Sequence, residues 1–346
     1  MKINEEMLKS IGGEYFSNNT PGMALLIGEK GRVLYEKGFG MADIEKAIPN
    51  ETDTAFIIAS VTKQFTTMAI MMLKEKGLLD YDDTIDKYFP DFPDYRNIVT
   101  LRHLMTHTSG IKEYFDEGFK DKAGLSLEDP TQDDILKWIK SVEDLEFAPN
   151  TRYSYCNSAY VMLGAVVEMV SKQSFGDFLA EHIFIPLQMD RTVVGVFANQ
   201  KVDKMASGYK EDGEGGFIKT PMDMMAIGWA DGNMISTVQD LFKWHNALYT
   251  EKLVKRETLQ EAFTPHVLKD GTVTDYGFGW KINLRSGPKE LWHTGGTIGY
   301  ISRFSRFVEE DVAIIMLTNL QDSASAKRDE IFGKIAFSVF GQKLYQ

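Results

Sequence analysis

Apolar positions along the chain change their period twice. Near the N-terminus they read as strand. Met23-Ala24-Leu25-Leu26-Ile27 and Val33-Leu34-Tyr35 flank the turn Glu29-Lys30-Gly31, which predicts a strand pair between Gly22 and Gly40. Phe56-Ile57-Ile58-Ala59 is a short apolar run that ends at Ser60. Phe65, Met68, Ala69, Met72 and Leu73 then recur at helical spacing until Gly77 stops them. From about 80 to 230 the pattern reads mostly as helices and loops, with the clearest helix running from Ser158 to Val170. Thr237 to Tyr249 predicts another helix. Tyr276 to Trp280, Gly299 to Val308 and Val312 to Leu317 read as strands, with Glu309-Glu310-Asp311 as the last turn, and Ala326 to Phe340 as a closing helix.

Strands at both ends around a helical middle predict an α/β (α+β) fold. One antiparallel sheet flanked by helices is built from both termini, over 1–80 and 231–346, and a mostly helical insertion occupies 81–230. Composition narrows the class further. The chain has 346 residues, 43% hydrophobic and 25% charged, as in ordinary globular proteins. No apolar run is long enough for a membrane span. A net charge of −12 disfavours nucleic acid and anionic lipid as partners. Cys156 is the single cysteine, so no internal disulfide forms. Met1 to Glu6 lacks the apolar core of a signal peptide, so the sequence as it stands reads as cytoplasmic. An extracytoplasmic place is the reading if a leader has been removed. Oligomeric state is not legible.

A serine and a lysine three apart share one helix face. Near a helix start, such a serine lies among unpaired N–H groups, which suits a nucleophile with its base. The spacing occurs at Ser60/Lys63, Ser109/Lys112, Ser207/Lys210 and Ser286/Lys289. Only Ser60 follows a buried run and opens a patterned helix; the other three precede glycine. A capping serine and a solvated lysine are the plainer readings of the pair. In Tyr153-Ser154-Tyr155-Cys156-Asn157, Tyr155 can relay a proton and Asn157 can bind a substrate amide, unless they are a packed aromatic and a cap. An extended backbone there turns Cys156 to the opposite side. In Trp292-His293-Thr294-Gly295-Gly296-Thr297, glycines admit close backbone approach. The N–H of Gly296 can complete an oxyanion hole with that of Ser60, and His293 can supply a charge or hydrogen bond. His103 and His107, four apart, have metal-ligand spacing without the glutamate of a metalloprotease. No cofactor motif is present.

These clusters, in this order, resemble the serine β-lactamase and penicillin-binding protein superfamily, in its class C-like branch. That branch holds D-alanyl-D-alanine carboxypeptidases, D-aminopeptidases and family VIII esterases. The segment from Thr100 to Gly110, Phe147-Ala148-Pro149-Asn150, Ile235-Ser236-Thr237 and Tyr276 to Trp280 carry the likeness across nearly the whole chain. The resemblance implies a β-lactamase/transpeptidase-like fold with the site between its two parts. It implies a serine hydrolase that forms an acyl-enzyme at Ser60 on an ester or amide: a D-amino-acid peptide, a small ester or a poor β-lactam. Lys63 is then the proton partner and Tyr155 the second acid/base. Asn157 holds substrate, and His293-Thr294-Gly295 takes the place of the family's Lys-Thr-Gly strand. Its partners are small-molecule or peptide substrates. Where that strand carries lysine, His293 makes carboxylate binding weaker or pH-dependent, so inefficient β-lactam hydrolysis is expected. A penicillin-binding type with slow deacylation and an inactive structural or polymerising module are the alternatives.

Overall fold

The computed structural model describes residues 3–115, 131–195, 202–220, 230–285, 287–321 and 325–341. The elements that position the site are, in chain order, α1 (Glu5–Tyr15), β1 (Met23–Glu29), β2 (Arg32–Phe39), α2 (Lys63–Glu75), α3 (Asn157–Ser171), α4 (Val238–Ala247), β3 (Lys281–Ile282), β4 (Glu290–Thr297), β5 (Tyr300–Phe307), β6 (Val312–Thr318) and α5 (Ser325–Phe340). One antiparallel sheet runs β3-β4-β5-β6-β1-β2 and pairs strands from both chain ends, with β1 against β6. Both faces of β1 and β6 are covered. Leu25 and Ile27 join Ile314 and Met316 under α1 and α5, while Ala24 and Leu26 join Ile315 and Leu317 in the larger core with α2, α3 and α4. A strand buried on both faces needs apolar residues at every position, which is why Met23 to Ile27 shows no alternation.

Helix α2 lies inside the larger core, and every residue from Lys63 to Leu73 is buried. Phe65 stacks on Trp244 of α4 at 4.3 Å between ring centroids. Among the described residues, the middle of the chain consists of helices and loops up to about residue 187. It then returns to the sheet side: Val193–Val194 pairs with Met234–Ser236, which pairs with Phe56–Ile57. Tyr209–Glu211 runs parallel to Leu320–Gln321.

Two local readings change. The N-terminal helix α1 was not anticipated; Asn4 caps it and only Leu8, Ile11 and Gly12 of its face are buried, too few to show a period. Tyr276 to Trp280 is a loop rather than a strand. Gly279 stands at φ +77° and lies where a side chain would meet the Lys63 carbonyl, so the position needs glycine on both counts, and Thr67 Oγ1 ties the loop to α2 through the Phe278 carbonyl at 2.9 Å. The glycine-bearing run around His293 is strand β4, in line with the strand that the resemblance implies there. Among the described residues no helix is long and apolar enough to cross a membrane.

Candidate active site

The chain enters the site through Phe56–Ile57, and the Ile58 N–H binds the Met234 carbonyl at 2.9 Å. Ala59 follows at φ +45°, and a 3₁₀ turn over Ala59–Thr62 leads into α2. Ser60 therefore stands one turn before the α-helix proper. Between residues 54 and 73 it alone is not buried. Its hydroxyl accepts from Lys63 Nζ at 3.2 Å.

Lys63 has 0% of its surface exposed. Its ammonium also donates to Asn157 Oδ1 at 2.7 Å and to the Asp231 carbonyl at 2.6 Å. Burial lowers its pKa to about 8, against the opposing pull of Asp231, Glu113 and Cys156. The solvated-lysine reading is thus excluded by packing. Tyr155 lies with its ring 4.9 Å from the ammonium. Burial raises its phenol well above the usual range. Its hydroxyl faces Ser60, which favours ionisation, but makes no fully formed hydrogen bond.

Asn157 opens α3. Glu113 Oε2 accepts both its backbone N–H at 2.5 Å and its Nδ2 at 3.1 Å. That pins the amide with its oxygen toward Lys63. Burial raises Glu113 to about 6. Asp231 is buried, accepts from Tyr114 Oη at 2.9 Å, and is held above the usual carboxylate range by desolvation. Sequence reading missed Glu113, Tyr114 and Asp231. No local pattern announces them, since their partners lie 44 to 168 residues away.

His293 corrects an expectation. It is 1% exposed and both ring nitrogens are engaged: Nδ1 donates to the Thr294 carbonyl at 2.6 Å, and Tyr276 Oη donates to Nε2 at 2.9 Å. Burial, aided by Lys63, lowers its pKa to about 3. The ring is neutral across working pH and offers no titrating charge to a substrate carboxylate. Thr294 is half-buried beside it. At Gly295, β4 presses on the turn before Ser60; a methyl there would lie 2.2 Å from the Ile58 carbonyl oxygen, whereas nothing lies within 4 Å at Gly296, which is exposed. G295A should therefore push β4 off the 58–60 turn, costing about 1–3 kcal/mol of stability and about 100-fold in kcat. G296A should unfold at the wild-type temperature. Paired thermal melts and kinetics check this, and equal stability losses in the two variants would refute it.

The other candidates are used structurally. Ser109 Oγ accepts from the Ile111 N–H, Ser207 Oγ donates to Asp43, and Ser286 lies outside the described residues. Cys156 is buried, and desolvation pushes its thiol far up, so it is no nucleophile. His103 Nδ1 accepts from the Thr100 N–H and His107 Nδ1 from the Cys156 N–H. Among the described residues no three His, Cys, Asp or Glu converge to hold a metal ion.

A half-exposed serine joined to a buried, weakly basic lysine, with a tyrosine and a pinned asparagine beside them, is a constellation for acyl transfer. Residues 6–336 match the family described as Beta-lactamase. The chain belongs to the beta-lactamase family. As a member it is a serine hydrolase, of a family whose enzymes act on amides and esters. It is 30% identical over 353 residues to penicillin-binding protein 4* of Bacillus subtilis (strain 168), covering 98% of this chain and 76% of that one. It is 26% identical to the D-aminopeptidase of Brucella anthropi, covering 88% of this chain and 57% of that one. The octameric penicillin-binding protein homologue of Pyrococcus abyssi superposes with a TM-score of 0.82 at 28% identity, covering 98% of this chain and 77% of that one. D-amino acid amidase of Ochrobactrum anthropi SV3 shares the fold, with a TM-score of 0.80 at 22% identity and coverage of 97% and 99%. This family member therefore has the mixed architecture that its sequence predicts, with antiparallel strands and flanking helices.

Proposed function

We propose that this family member hydrolyses small esters and amides, D-amino-acid amides among them, through an acyl-enzyme at Ser60. The observation that carries the reading is Lys63 Nζ, fully enclosed and 3.2 Å from Ser60 Oγ. In its neutral form Lys63 takes the proton as Ser60 Oγ attacks the carbonyl carbon. The backbone N–H groups of Ser60 and Gly296 hold the oxyanion. Tyr155, facing Ser60, passes a proton to the leaving group as the tetrahedral adduct collapses, and the same groups activate water for release of the acyl enzyme. Asn157, Thr294 and Gly295 line the substrate's path, and His293 holds Tyr276. Ser60, Lys63 and His293 to Gly296 come from the 1–80 and 231–346 parts and Tyr155 and Asn157 from 81–230, so the proposed site draws on both parts of the chain.

Charge refines the substrate class. In the reactive form, with Lys63 neutral, the charged groups that act on Lys63 are Glu113 and Asp231, while His293 is neutral. Such a site favours neutral or cationic acyl donors over those that carry a carboxylate beside the scissile bond. The names of the relatives, a D-aminopeptidase and a penicillin-binding protein, span that contrast. In a panel of p-nitrophenyl butyrate, D-alanine p-nitroanilide and nitrocefin, kcat/KM should be lowest for nitrocefin by about 100-fold, the size of about 2.7 kcal/mol in differential transition-state binding. Nitrocefin as the best substrate would sink the charge argument. An adduct that persists in the intact-protein mass after penicillin treatment would instead indicate slow deacylation.

A further inference from the structure

We propose that His107 is a positioning residue that holds the Tyr155 segment against Ser60; the inference rests on the acyl-transfer reading above. His107 brackets that segment at two points. Its carbonyl accepts the Ser154 N–H at 2.9 Å, and its Nδ1 accepts the Cys156 N–H at 3.0 Å. Tyr155 is the residue between these two anchors. The His107 ring also packs directly on the Tyr155 ring, with centroids 4.3 Å apart, and on Tyr276 at 4.7 Å and Tyr160 at 4.9 Å. Tyr276 in turn donates to His293. One residue thus holds the backbone on either side of Tyr155, by its carbonyl before and its imidazole after, and the ring packs on the aromatic wall behind it.

Two features show that the fold accepts a cost to keep this ring here. His107 has φ +57°, a left-handed conformation uncommon outside glycine, asparagine and aspartate. Because Nδ1 accepts, the proton of the neutral ring sits on Nε2, and that buried N–H finds no partner. A packing residue alone needs neither feature, and a phenylalanine or leucine would fill the space without an orphaned donor. What only the imidazole supplies is an acceptor at the Nδ1 position, aimed at the peptide N–H that follows Tyr155. Burial and the nearby Lys63 keep the ring unprotonated, so the acceptor is present throughout the working range.

Two amide substitutions separate the acceptor from general polarity. Asparagine places its oxygen where Nδ1 stands and tolerates the left-handed backbone; glutamine carries its oxygen one bond too far. H107N should retain kcat within about tenfold of wild type, and H107Q should lose about 100-fold in kcat with KM little changed, the split expected when a group acts only on the chemical step. The rate of Ser60 labelling by a fluorophosphonate probe should follow kcat. Equal losses in the two variants, or an H107Q enzyme as fast as wild type, would overturn the proposal. Should H107Q not fold, ¹⁵N NMR of the wild-type imidazole decides: the proton on Nε2 supports the role, and a proton on Nδ1 rules it out. Wild-type protein that is not labelled at Ser60 would remove the acyl-transfer reading itself, a separate result from labelled protein indifferent to His107.

Discussion

S60A is expected to lower kcat by about 10⁴-fold or more and to abolish labelling by a fluorophosphonate probe, because among the described residues no second nucleophile in the site can replace the hydroxyl. Of the serines that share the lysine spacing and are described, Ser109 is buried and Ser207 is bonded to Asp43, and the only cysteine is enclosed with its thiol held protonated. Stability should hardly change. Ser60 is half-exposed and gives up one hydrogen bond, from Lys63 at 3.2 Å, so the loss is within about 0.5–1.5 kcal/mol. The measurement is intact mass with the probe, alongside steady-state rates. A mass shift that persists in the variant at another residue would place the nucleophile elsewhere.

K63M should cost about 10³-fold in kcat, at the upper end of what a positioned general base supplies. It also carries a pH signature. Lys63 works only when neutral, and its pKa lies at about 8 against an ordinary 10.5, chiefly through burial. In wild type, kcat/KM should climb about tenfold per pH unit toward pH 8 and level off above it, with about one tenth of Lys63 neutral at pH 7. The fall steepens near pH 6, where Glu113 takes up a proton and loosens Asn157. In K63M the limb near pH 8 should vanish from the residual rate; an unchanged limb would assign it to another group. The same shift sets a stability trend. Between about 8 and 10.5 the unfolded lysine holds its proton while the folded one has lost it, so wild-type stability should rise with pH across that window. Denaturant melts at pH 8 and 10 check the sign.

How much of this was legible in the chain varies residue by residue, and distance explains the variation. Ser60 and Lys63 are one helical turn apart, so their meeting is local geometry. The helix over Asn157 to Ser171 and the strands after Gly299 are strongly patterned, and they fold as read. Tyr276 to Trp280 reads as strand by composition, yet it is a loop that turns at a left-handed Gly279 packed against the Lys63 carbonyl, a contact across 216 residues that no local pattern encodes. Glu113 gives no signal because its role is to grip the start of α3, 44 residues later. His107 does stand out in sequence, but as one of a spaced histidine pair; its service to the Cys156 N–H appears only when the two segments pack.

Taken alone, the sequence determined the kinds of elements, a sheet drawn from both ends, and which serine carries a lysine one turn on. Those follow from periodicity and spacing, which act over a few residues. Tertiary structure decided the protonation states and the orientation of the groups. It enclosed Lys63 so that its pKa drops to about 8 and enclosed His293 so that it stays neutral, and it turned Asn157 by giving its amide a carboxylate to donate to. Desolvation and hydrogen-bond direction depend on what packs around a group from every side, and those neighbours come from distant segments, as Lys63 does for His293 and Asp231 does for Lys63.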